Sequence, residues 1–138
     1  MKELTIAAAV ENIDTVTDFV NEQLEAIDCP MKAQMQIAIA IDEIFSNIAH
    51  YAYGTETGQA TVRVEALEDP ESVMITFMDN GVPYDPLAKA DPDTTLSADE
   101  REIGGLGIYM VKKTMDHIAY AYKDGMNILT IQKILKDI

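Results

Sequence analysis

The chain has 138 residues, 48% apolar and 25% charged, a composition that fits about one globular domain and excludes disordered and fibrous classes. Ten basic against 24 acidic residues leave a net charge of −14, so most of the surface would repel a nucleic-acid backbone or an anionic membrane. Cys29 stands alone, which excludes an intrachain disulfide or a multi-thiolate metal site; it reads as a small buried hydrophobe in a reducing compartment.

Met1-Lys2-Glu3-Leu4 lacks the pattern of a secretory leader, and no stretch approaches the ~20 apolar residues that span a bilayer. A cytoplasmic setting is expected. Leu4 to Val10 is compatible with a first strand, turning at Glu11 and Asn12. Ile13, Val16, Val20, Leu24 and Ile27 then recur every three or four residues, with Asp14, Asp18, Glu22 and Glu25 between them. That spacing predicts an amphipathic helix ended by Pro30. A second helix is expected over Met31 to Tyr51, where Ile37, Ile41, Ile44 and Ile48 make a stripe and no glycine intervenes before Gly54.

Ala60 to Leu67 and Ser72 to Met78 alternate in strand fashion around Glu68-Asp69-Pro70-Glu71, which predicts a hairpin. Asp85 to Ile103 carries Pro86, Pro92 and many acids, and it is longer than connections in compact domains usually are. It is a candidate lid, with Ser97 and Glu100 at capping-box spacing inside it. A third helix follows Gly104-Gly105-Leu106-Gly107 and runs to about Asp116, with Ile108, Val111 and Met115 on one side. Ile118 to Lys123 and Asn127 to Leu135, joined by Asp124-Gly125, make a closing hairpin. This order predicts an α+β fold, a two-layer α/β sandwich in which a mixed sheet carries all three helices on one face. Residues 1–138 read as one domain, with the lid at about 85–103.

Three patches could carry chemistry. Glu43 and Asn47 stand at i and i+4 on the second helix, with His50 one turn on, so all three line one edge beside the isoleucine stripe. A carboxylate there can accept a hydroxyl proton and an amide oxygen can coordinate Mg²⁺, although a solvated polar face has the same pattern. Asp79-Asn80-Gly81-Val82-Pro83 ends a strand. Its acid can accept a hydrogen bond from an exocyclic amine while Gly81 admits a ring close to the backbone; the same residues also make a favourable turn. Gly104-Gly105-Leu106-Gly107 opens a helix, where free N–H groups and the helix dipole can hold a phosphate, or where the glycines act as a hinge. A Rossmann site is excluded because the preceding segment is the lid rather than a strand, and a P-loop because lysine stands where its last glycine belongs.

Occurring together in this order, the three patches resemble the boxes of the GHKL ATPases, the superfamily of gyrase, the large heat-shock chaperones, sensor histidine kinases and MutL-type repair proteins. Glu43-x-x-x-Asn47 is similar to the N box, Asp79-x-Gly81 to the G1 box and Gly104-Gly105-Leu106-Gly107 to the G2 box. Within the superfamily the chain most resembles the bacterial anti-sigma factor serine kinases. That likeness rests on Asp42-Glu43, Asn47 and His50-Tyr51-Ala52-Tyr53, on Asp79-Asn80-Gly81-x-Pro83-Tyr84-Asp85-Pro86, and on Gly104 to Ile108 followed by Met115-Asp116. It implies the Bergerat, histidine kinase-like ATPase fold, with ATP between helices and sheet under the lid.

Carried over by position, the resemblance makes Glu43 the general base, Asn47 the Mg²⁺ ligand, Asp79 the adenine reader and Gly81 part of the base pocket. Gly105, Leu106 and Gly107, with Gly104 before them, would turn backbone to the phosphates. Arg101 is placed to meet the γ-phosphate, or else lies in solvent. The implied activity is an ATP-dependent protein serine/threonine kinase that phosphorylates a small antagonist protein and sequesters a sigma factor. Dimerisation is common in that family. A non-catalytic ATP-binding switch is the alternative, and a detached histidine-kinase domain is disfavoured because neither His50 nor His117 stands in a phospho-acceptor context. His50 itself is explained as well by packing or capping as by chemistry.

Overall fold

The computed structural model describes residues 1–54, 56–68, 71–88 and 105–135, and at 105 and 106 only the backbone. β1 (Lys2–Ala7) leads through a short 3₁₀ turn (Val10–Asn12) into α1 (Ile13–Ala26) and α2 (Met31–Tyr51). β2 (Gln59–Leu67), β3 (Ser72–Asp79), α3 (Gly105–Thr114), β4 (His117–Lys123) and β5 (Met126–Ile134) follow. The helices and hairpins lie where the residue periods place them. The first strand starts and ends earlier than Leu4 to Val10, because pairing with β2 already begins at Lys2 opposite Val64. Ala8 N–H turns aside to Gly58 O, and the Asn12 side chain takes Ala7 O, so Val10 belongs to the turn.

Local chemistry sets the junctions. Asp28 adopts a φ of 54°, which a short polar side chain tolerates, while Cys29 N–H returns to Leu24 O; Pro30, with no N–H to lose, then starts α2. Asp124 and Gly125 both have positive φ, the geometry of a two-residue hairpin turn, and bring Lys123 opposite Met126.

The five strands lie in the order β1-β2-β3-β5-β4. Every pairing is antiparallel, which corrects the expectation of a mixed sheet. β3 and β4 do run the same way, joined by the crossover through α3, but β5 folds back into the slot between them and leaves no parallel neighbours. Alternate residues of the central strands face one core: Val62 and Val64 from β2, Ile75 and Phe77 from β3, Leu129 and Ile131 from β5. Val16, Val20 and Leu24 of α1, Ile37, Ile41 and Phe45 of α2, and Val111 of α3 close over that same face. Burying each such large side chain stabilises by roughly 1.5–3 kcal/mol, so the sandwich is held together from this one face. Cys29 is buried and free. No described helix is long and apolar enough to cross a membrane.

Candidate functional site

α2 presents two faces. Its isoleucines turn to the core, and the residues a third of a turn away, Glu43 and Asn47, turn to α3. A methyl group built on Gly107 would lie 2.1 Å from Glu43 Oε2, so the first turn of α3 rests on the carboxylate and only glycine admits that approach. Asn47 Nδ2 donates to Glu43 Oε1 at 3.3 Å, which leaves the amide oxygen turned away from the carboxylate. Burial raises the Glu43 carboxyl above the ordinary carboxylate range; the Asn47 hydrogen bond opposes the shift and the charge of Asp42 adds to it. A raised pKa makes this group a better proton acceptor near neutral pH than a free glutamate.

The strand end is built differently. Asp79 closes β3 on the core side, 5% exposed, directly opposite Asn127 of β5. Its Oδ1 accepts from Gly81 N–H at 2.9 Å and from Asn127 Nδ2 at 2.9 Å, and no described residue donates to its Oδ2. Gly81 lies flat on the end of α2: a methyl group there would meet Ala52 O at 2.2 Å, and the next residue, Val82, donates its N–H to that same carbonyl at 2.8 Å. Tyr53 braces the turn from below, donating to Gln59 O at 2.5 Å and accepting from Asn80 N–H at 3.0 Å. The His50-Tyr51-Ala52-Tyr53 run is therefore structural in its last two residues. Tyr51 stacks on Tyr84 with ring centroids 5.3 Å apart, and His50 is exposed, its ring 6.2 Å from Tyr51.

Between helix and sheet these elements enclose a cavity of about 30 Å³, lined among others by Asn47, Asp79, Tyr84, Tyr120 and Asn127. The structure thus sets Gly107 against Glu43, bonds Glu43 to Asn47, and places Asn47 and Asp79 on one hollow, with Gly81 tied to Asp79 through its N–H. Gly105 and Leu106 provide the first two backbone positions of α3. Arg101 and Gly104 lie outside the described residues, as do Ser97 and Glu100, and of the lid segment 85–103 only 85–88 is described. There Asp85 folds a turn by accepting Leu87 N–H at 2.8 Å. Among the described residues no three His, Cys, Asp or Glu side chains gather as a metal site.

Asn127 and Tyr120 stand in no sequence motif, and Tyr53 serves as a brace rather than in chemistry. Asn127 left a signal: it shares the parity of Leu129 and Ile131, so a polar side chain stands in the buried row of β5.

A profile of the histidine kinase-like ATPase domain matches residues 6–133. The chain belongs to that family. Among curated relatives of this histidine kinase-like ATPase, serine/threonine-protein kinase BtrW of Bordetella bronchiseptica is 27% identical over 100 residues, 72% of this chain and 70% of BtrW. Serine-protein kinase RsbW of Bacillus cereus is 31% identical over 103 residues, 72% of this chain and 63% of RsbW. The solved RsbU and RsbW domains of Rv1364c from Mycobacterium tuberculosis superpose with a TM-score of 0.66 at 17% identity, over 100% of this chain and 34% of theirs. The histidine kinase domain of the Erythrobacter litoralis EL346 blue-light activated histidine kinase does so at 0.56 and 15% identity, over 77% of this chain and 46% of its own. Both superpositions concern the fold alone.

Proposed function

We propose that this chain is an ATP-dependent protein serine/threonine kinase of a cytoplasmic partner-switching module, which phosphorylates a small antagonist protein and sequesters a sigma factor. One observation carries the reading: a half-buried carboxylate, packed against the first turn of α3 and hydrogen-bonded by Asn47, stands beside a cavity whose lining joins that asparagine to the buried Asp79. The kinase names of its relatives support it.

The residues present fit ATP and a magnesium ion. Asp79 Oδ2, free of described protein donors, would accept the exocyclic amine of adenine, with Gly81 admitting the ring edge. The N–H groups of Gly105, Leu106 and Gly107 belong to the first turn of α3, where a helix leaves donors unpaired and a phosphate is favoured. Arg101 and Gly104 are assigned to the same phosphates. Asn47 would hold the ion through its amide oxygen. The ion held there would supply neutralisation of phosphate charge. Glu43 then accepts the proton of the attacking serine or threonine hydroxyl; the new bond forms from that oxygen to the γ-phosphorus as the bridge to the β-phosphate breaks. Positioning between α2 and α3 supplies much of the remaining rate.

Incubation with γ-labelled ATP, magnesium and candidate antagonist proteins from the native cell tests the reading. We expect label on a serine or threonine, reduced about 10²- to 10⁴-fold by Glu43→Ala with nucleotide binding retained. ATP binding without transfer to any of them would favour the non-catalytic switch.

A further inference from the structure

Asn127 is the most completely engaged polar side chain in the described protein, yet it is neither helix, loop nor glycine motif. It is 6% exposed and lines the cavity from β5. Its Nδ2 donates to Asp79 Oδ1 at 2.9 Å and to Val82 O at 2.8 Å, while its Oδ1 accepts from Tyr84 N–H at 3.0 Å and from the Tyr120 hydroxyl. Two donors and two lone pairs are all that a carboxamide has, and all four are used. The polarity is fixed as well. A carboxylate and a carbonyl can only accept and a backbone N–H can only donate, so the amide has a single allowed orientation.

We infer that Asn127 is a positioning residue for nucleotide recognition, one that determines which oxygen of Asp79 is left to read the base and ties that choice to the chain leaving β3 at Val82 and Tyr84. The inference rests on the ATP-binding reading above. Asn127 and Gly81 together saturate Oδ1 of Asp79, which turns Oδ2 toward the ligand. The same amide grips Val82 and Tyr84, so the chain leaving β3 cannot shift without releasing the aspartate. Substitution should therefore alter nucleotide affinity far more than the rate of transfer.

Asn127→Asp is the informative change. It replaces the donor to Asp79 with a second carboxyl at hydrogen-bond distance, and two carboxyls that close cannot both ionise without repulsion. The other titratable groups around the position are Tyr120 and Tyr122 of β4, and Tyr84 and Asp85 of the segment after β3; none of these is a cation. ATP affinity, measured by calorimetry with magnesium and expressed as the ratio of variant to wild type, should be down about tenfold at roughly pH 8. It should recover to within about threefold at roughly pH 5.5, where one shared proton restores an O–H donor to Asp79. Asn127→Ser, which keeps one short donor, should lose affinity by about threefold at every pH without changing kcat.

A ratio for Asn127→Asp that is low but equal at both pH values would reduce Asn127 to a packing role and overturn the proposal. So would wild-type affinity in Asn127→Asp, or a full loss of transfer with unchanged binding in Asn127→Ser. Wild-type protein that leaves ATP unbound would instead remove the nucleotide reading on which it stands.

Discussion

Gly81 and Gly107 leave similar gaps on the two sides of the candidate site, but what fills each gap is different. Against Gly81 stands backbone, the Ala52 carbonyl at the end of α2; against Gly107 stands the far end of a side chain, the Glu43 carboxylate. The Gly81 side is cross-braced by Asn127, Tyr53 and the Val82 to Ala52 hydrogen bond, and Asp79 has no freedom there. The Glu43 side has one long hydrogen bond at 3.3 Å and a carboxyl partly stripped of water. On the proposed reading the floor recognises and the helix edge reacts, since recognition gains from a saturated network while a proton acceptor needs one that is incomplete.

The sharpest way to break this contrast is to add one methyl group on each side. Gly81→Ala cannot be accommodated without pushing the turn off α2, so we expect a loss of about 3 kcal/mol. In a chain of this size that lowers the thermal midpoint by roughly 10 °C. Nucleotide binding should fall with it, because Asp79 loses the Gly81 N–H that helps hold it. Differential scanning calorimetry reads the first effect and ATP titration the second; a variant as stable as wild type would mean the turn is not rigid.

Gly107→Ala should do the opposite. The carboxylate can swing aside, so the expected cost in stability is below about 1 kcal/mol and ATP affinity stays within about threefold. Phosphoryl transfer should fall about 100-fold, the penalty typical of a reacting group displaced by roughly 1 Å. Equal losses of binding and transfer in this variant would erase the division of labour between the two sides.

How much of this was legible beforehand follows the range of each interaction. Glu43 and Asn47 could be paired because a helix brings i and i+4 together, and the Asp124-Gly125 turn because both conformations are local. The strand order was not legible: whether β5 lies beside β3 or outside β4 depends on pairings far apart in the chain, and no local pattern marks it. The first strand slipped for the same reason, its apolar run continuing to Val10 while its partner residues on β2 end at Gln59. Asn127 announced itself by parity but not by partner, since Asp79 is 48 residues away. The boxes of the proposed nucleotide site are short and contiguous, so they could be read; the braces around them are cross-strand contacts and could not.

The smallest effect bears on why the helix edge is left incomplete. Burial raises the Glu43 carboxyl above its unfolded value, so the folded chain holds that proton more tightly than the unfolded one. Its contribution to stability is whole below the unfolded pKa of about 4.3 and is lost as the pH rises through the folded value, which makes the ionised carboxylate a cost at neutral pH. Glu43→Gln keeps the shape and removes the charge. Because the side chain is only half-buried, the expected gain at about pH 7 to 8 is modest, a thermal midpoint about 2 °C above wild type, shrinking toward zero below roughly pH 4. A gain of the same size at both ends of that range would mean that desolvation of the charge is not its cause. A gain that shrinks as expected, in a variant that no longer transfers phosphate, would mark Glu43 as a position where stability is given up for a proton acceptor, in contrast to Asp79, whose network stabilises the fold and the recognition surface together.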